Sequence, residues 1–331
     1  MARIILGIGS SHTPQLSTSI DWWEDHAKRD QSNPNLLGRD GEMHVYDELL
    51  SHTEWNVDAA RLTPEVWQEA HQRSQDGVAH LSKALQDANP DAIVVIGDDQ
   101  NELFLNDGTP TFAIYWGETI DDFAPDEHKQ QTMAAGLRAA LWATHSGTRE
   151  TYPVPSKLAL HLIDSLIVDE FDVAQMAEQR EGRSVGHAFT FARRRLMGER
   201  IIPLLPIMIN TYYAPNQPSP RRCYMLGRAL RRAIESYPED ITVAVMASGG
   251  LSHFVIDEEL DHRILDGLKN RDVDSLSTIP RHYMRSGTSE GLNWIGAGGA
   301  LEGLSMELVD YVPAYRSTAG TGVGMAFAIW R

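Results

Sequence analysis

Three apolar runs end in residues able to ligate a cation or carry a proton. GIGSSHTPQL reaches His12, IVVIGDDQNELF reaches Gln100 after two aspartates, and VMASGGLSHF reaches His253. His187 in SVGHAF and Glu290 in SGTSEGLNW add a further histidine and a carboxylate. Imidazole and carboxylate groups ligate divalent metals, and imidazole also moves protons near neutral pH. Each match alone is weak. A histidine after a strand is more often a hydrogen-bonded structural residue, and SGG by itself is only a tight turn. Together the five residues point to one site. Gln100 is the odd member, because it stands at a strand tip where a stronger ligand is expected.

For these residues to meet, the runs before them must be strands of one sheet. RIILGIG (3–9), AIVVIGD (92–98), TFAIYW (111–116), PLLPIMIN (203–210), ITVAVMAS (241–248) and GMAFAIW (324–330) read as buried strands. Thr63-Pro64 opens a helix in N-cap and first-turn fashion, with apolar positions continuing to about Ala88. Further helices are expected at 155–170, 220–237 and 257–269. Alternating strands and helices predict an α/β fold: one large domain over 1–331, with a central mixed sheet flanked by helices. In such sheets ligands bind outside the carboxyl ends of the strands, where His12, Gln100 and His253 fall.

Residues 21–60 break the pattern. They are rich in charge and aromatics with weak periodicity, and read as an N-terminal insertion anchored by its tryptophans. Such a segment is either a surface excursion or a lid over a site.

Composition bounds the rest. Hydrophobic residues make up 42% and charged residues 23%, an ordinary globular balance. The single cysteine, Cys223, excludes an internal disulfide framework and a zinc–thiolate cluster. A formal net charge of −17 argues against nucleic acid as a partner. No apolar run approaches a membrane span, and MARIILGIGS reads as a first strand, not a leader. A cytoplasmic protein is expected, as a homo-oligomer with a dimer favoured.

The motifs in order resemble the class III extradiol ring-cleavage dioxygenases, the family of the protocatechuate 4,5-dioxygenase catalytic subunit and the gallate dioxygenases. SSHTP, GDDQNELF with PTFAIYWGET, VPSKLALHLIDSLIVDEFD, VGHAF, SGGLSHF, GTSEGLNW and AYRSTAGTGVGMA carry the resemblance along nearly the whole chain. The early insertion and the chain length look most like the 3-O-methylgallate branch. The resemblance implies non-haem iron(II) held by His12, Glu290 and a second histidine, with His253 as acid/base and His187 supporting the ligands or facing substrate.

That second iron histidine falls on Gln100. Either the Gln100 amide oxygen coordinates directly, with Asp98 or Asp99 orienting its nitrogen, or a histidine of the insertion completes the set. His52 leads, then His44 and His26. The insertion is favoured, because imidazole holds iron(II) better than an amide. Substrate-binding candidates are Thr13, Ser317 and Thr318. The activity implied is extradiol cleavage of a catechol-type ring with dioxygen, on 3-O-methylgallate, gallate or a protocatechuate-like acid. The rivals are a metal-dependent hydrolase or lyase on the same scaffold, and a binding protein that has lost its iron.

Overall fold

The strand AIVVIGD is buried along all of its length, Ala92–Asp98. A strand hidden on both faces reads as a continuous apolar run, and it requires helices above and below the sheet. The computed structural model describes residues 1–331 and has this arrangement. Nine strands form the main sheet. In chain order they are β1 (Arg3–Ser10), β2 (Ala92–Asp98), β3 (Phe112–Tyr115), β4 (Ala174–Met176), β5 (Leu204–Ile209), β6 (Thr242–Ser248), β7 (His253–Val255), β8 (Met306–Tyr315) and β9 (Thr321–Trp330). The spatial order is β7-β9-β1-β6-β2-β5-β3-β4, with β8 on the other flank of β9. The sheet is mixed, as expected.

Its centre is parallel. β1, β6, β2 and β5 run the same way, with Ser10 beside Ser248 and Asp98 beside Ile209. Four carboxyl ends therefore open on one edge, delivering His12, Gly249, Gln100 and Tyr212. β9 returns antiparallel along β1, and β7 along β9. One apolar core fills each side of the sheet.

The principal helices are α1 (Pro64–Ala88), α2 (Ser156–Val168), α3 (Pro220–Ser236), α4 (Glu258–Asn270) and α5 (Gly291–Ala300). Local chemistry sets their ends. The Thr63 hydroxyl accepts from the Val66 amide with Pro64 in the first turn, and Asn89 closes α1 in the left-handed region at φ 48°. α5, which follows Glu290 directly, was not expected from its sequence, GLNWIGAGGA. Glycine disfavours helix in isolation, but here it permits a close approach. A Cβ on Gly227 of α3 would lie 1.9 Å from the Gly296 carbonyl oxygen of α5.

The insertion folds into short pieces. Trp23–Gln31 is a helix, Leu36–Leu37 and Met43–His44 pair as a two-stranded hairpin, and Tyr46–Ser51 is a second helix. Trp23 is fully buried, its ring 5.8 Å from that of Trp67 on α1. Leu36 and Leu49 pack with Val255 and Ala319. The segment is thus fixed to the edge of the sheet that carries the site. No helix is long and apolar enough to cross a membrane.

Candidate active site

His12 leaves β1 and is buried. Its Nδ1 lies 2.9 Å from the Ser248 hydroxyl, which itself donates to the Ala188 carbonyl. Ser248 therefore accepts from His12 Nδ1–H, and the Nε2 lone pair is left free. That buried nitrogen has no hydrogen-bond partner. It lies 3.6 Å from Glu290 Oε2.

Glu290 ends the turn before α5, also buried. Its Oε2 accepts from the Gly250 amide at 2.7 Å and lies 3.5 Å from His253 Nε2. Burial alone would raise this acid, but His253, His12 and the Gly250 amide hold it down to about 2. Asp98, at the tip of β2, is the third donor: one ligand atom each from His12, Asp98 and Glu290 fall within 4.8 Å of one another. Burial, then the neighbouring Glu290, pushes Asp98 upward. Two buried carboxylates facing a bare imidazole nitrogen form a cage that a divalent cation satisfies. The donor set fits a metal of the iron(II) class.

Gln100 borders the cage. Its amide nitrogen donates to Asp98 Oδ2 at 3.0 Å and reaches Glu290 Oε1 at 3.4 Å. Asp98 is also held by Asn293 Nδ2 at 3.1 Å. One of the two sequence readings of Gln100 places Asp98 or Asp99 against its amide nitrogen, and the contact formed is with Asp98. It is the Asp98 carboxylate that groups with His12 and Glu290. The structure does not bring His52 there. It stacks on Trp55 and groups with Asp40 and His44, away from His12 and Glu290, because the hairpin holds this part of the insertion against β7. His26 lines the cavity but hydrogen-bonds to Thr18, and burial with the charges of Arg316 and Arg29 lowers it to about 3, keeping it neutral.

His253 opens β7. Its Nδ1–H donates to the Leu251 carbonyl at 2.9 Å, which leaves Nε2 as the working nitrogen. Asp261 of α4 accepts from the Ser252 amide at 2.7 Å and fixes the turn that carries the ring. His187 stands with its ring 4.7 Å from that of His12. Its Nδ1 meets Glu102 Oε1 at 2.8 Å. Burial opposes charge on His187, but Glu102, Asp98 and Glu290 outweigh it and raise the group to about 10. Glu102, the nearest of these carboxylates, thus favours the protonated form of the His187 ring. Asn101, Phe254 and Ser286 all have positive φ (61°, 63° and 52°). Such strain clusters where surrounding structure imposes a functional geometry.

His12, Gln100, Glu102, His187, His253 and Glu290 form one wall of a cavity of ≈ 380 Å³. Thr13 lines it, as expected. Ser317 and Thr318 do not: the Ser317 hydroxyl is taken by Thr321, and Thr318 is exposed, its carbonyl holding Val57 of the insertion. Their neighbour Arg316 lines the cavity instead, paired with buried Asp30. Arg29 and His145 line it as well. No motif marked them; both come from segments whose folding back over the sheet is invisible in sequence.

Residues 49–326 match the family model described as the catalytic LigB subunit of aromatic ring-opening dioxygenase. A gallate dioxygenase of Pseudomonas putida is 34% identical over 168 residues, 46% of this chain and 48% of that protein. A 2,3-dihydroxyphenylpropionate/2,3-dihydroxicinnamic acid 1,2-dioxygenase of Cupriavidus necator is 31% identical over 215 residues, 64% of this chain and 57% of its own. The chain thus spans about half the length of the curated relatives it matches. The family match covers most of the sheet and reaches from the insertion to the last strand, so the chain belongs to the LigB family of aromatic ring-opening dioxygenases.

Proposed function

We propose that the protein opens a catechol-type aromatic ring beside its vicinal hydroxyls, using iron(II) and dioxygen. The observation that carries the reading is the buried cage of His12, Asp98 and Glu290, of which His12 and Glu290 line a cavity together with His253 and His187. Iron(II) in such a cage would supply open coordination positions and redox activity for the diol and dioxygen. The side chains do the rest. His253 Nε2 takes a proton from the entering diol and returns one as the ring opens, since Nδ1 is committed to Leu251. Glu102 on Nδ1 favours the protonated ring of His187, which would then donate to anionic oxygen through Nε2. Gln100 fixes Asp98 so that the cage stays aimed.

The cavity also suggests which diols enter. Arg29 lines it from the insertion helix without an ion-pair partner, whereas Arg316 is neutralised by Asp30. An unpaired guanidinium suits a ring acid such as gallate, 3-O-methylgallate or protocatechuate. The charged hydrogen bond is worth about 1.5–3 kcal/mol. Arg29→Met should therefore raise KM for a carboxylated catechol by roughly 10–100-fold, with little change for catechol itself. Equal changes for both substrates would remove Arg29 from recognition. Oxygen uptake by the iron-loaded chain across such a panel tests the activity directly.

A further inference from the structure

A second place gathers metal-binding side chains, outside the cavity. Asp40, His44 and His52 each offer one donor atom, all within 4.8 Å of one another. We propose that this cluster is a separate divalent-metal site of the zinc type, which ties the inserted segment together.

Three parts of the insertion converge on it: Asp40 in the hairpin turn, His44 on the second hairpin strand, and His52 at the end of the helix Tyr46–Ser51. Each side chain is held in place before any ion arrives. Asp40 Oδ1 accepts from the Glu42 amide at 3.0 Å. The His52 ring stacks on Trp55 at 4.0 Å with 14° between the planes. His44 Nε2 faces both Asp40 oxygens at 3.1 Å, while its Nδ1 has Glu48 at 3.8 Å. His52 Nδ1 faces Glu54 at 3.2 Å. A carboxylate on the far ring nitrogen is the usual setting of a metal-bound histidine. Here His52 has one at hydrogen-bond distance, and Glu48 stands near that of His44. Gly38 gives the cluster its room: a Cβ there would lie 2.6 Å from the His44 ring and 2.7 Å from Asp40 Oδ1.

Two imidazoles and one carboxylate, with a water in the fourth position, match zinc better than calcium or magnesium, which prefer oxygen. A tetrahedral ion with bonds of about 2.0–2.1 Å needs its donors roughly 3.4 Å apart. The partly exposed Asp40 and His52 side chains have room to close the remaining gap around the more covered His44 ring. The hairpin is strapped to the neighbourhood of the cavity: Arg39 donates to the Ile256 carbonyl at 2.9 Å, and Arg285 to the Gly41 carbonyl at 2.6 Å. An ion in the cluster would therefore stiffen the segment that carries Arg29. The site stands whether or not the cavity opens a ring.

The test uses the full chain carrying Glu290→Ala, which disables the buried cage, titrated with cobalt(II) alone and then with zinc(II) alone. One cobalt per chain should bind, with the visible absorption of tetrahedral cobalt and quenching of Trp55 fluorescence, and zinc should displace it. His52→Ala should weaken binding at least about tenfold, as should His44→Ala, with circular dichroism unchanged. Gly38→Val should weaken it likewise while leaving all three donors present. Absence of cobalt binding to the Glu290→Ala chain, or affinity unmoved by the histidine variants, overturns the proposal.

Discussion

His253→Ala should keep its metal and lose kcat by about 10²–10⁴-fold, the range ordinarily supplied by a general acid or base. The ring stands 3.5 Å from Glu290 through Nε2, close enough to exchange a proton near the cage, yet it is outside the three-donor set. Gly250 and Gly287 close on the side chain so tightly that a Cβ on Gly250 would lie 2.2 Å from the ring and one on Gly287 2.3 Å from the His253 Cβ. Alanine therefore also leaves a hole. His253→Gln controls for this, because it fills the space and hydrogen-bonds without carrying protons near neutral pH. Both variants should be slow. Recovery in the glutamine variant would make His253 a positioning residue, and loss of iron from either would make it a ligand.

Asp98→Ala should lower iron(II) affinity more than any change at Gln100. Asp98 contributes a charged donor to the cage, and Gln100 only orients it. Partners that orient a ligand typically account for about 10–100-fold in metal affinity. Gln100→Ala should fall within that range and Asp98→Ala beyond it, measured by anaerobic iron titration. His52→Ala should leave the high-affinity iron unchanged, since its ring belongs to the cluster with Asp40 and His44. The reverse order of Asp98 and Gln100 would return the amide to the metal and make Asp98 its support.

The central strands were legible because burial on both faces leaves no polar position inside them. AIVVIGD is seven buried residues in a row, and its expected bounds are those observed. α1 was legible from Thr63-Pro64 for an equally local reason. β8 was not. MELVDYVPAY carries charges and a proline because one face of this strand is only partly covered, and it becomes a strand by pairing with β9 along its whole length. α5 was hidden by glycines whose purpose is contact with α3. The same division holds at the site. His12, Glu290, His253 and His187 follow turns that sequence marks, and the fold brings them together. Asp98 was visible but read as a support for Gln100, since strand pleat and depth decide which of two neighbouring polar residues faces the cage. His52 and Arg29 show the limit most clearly. An insertion can fold back anywhere, and here it delivers an arginine to the cavity and keeps that histidine away.

Ring opening beside the diol by the iron-loaded chain has a direct isotopic signature. Anaerobically reconstituted protein, mixed with a carboxylated catechol under ¹⁸O₂, should consume one dioxygen per ring and place both labelled atoms in a single product cleaved next to the hydroxyl pair. Iron bound at the cage without oxygen uptake, cleavage between the hydroxyls, or label lost to water would contradict it.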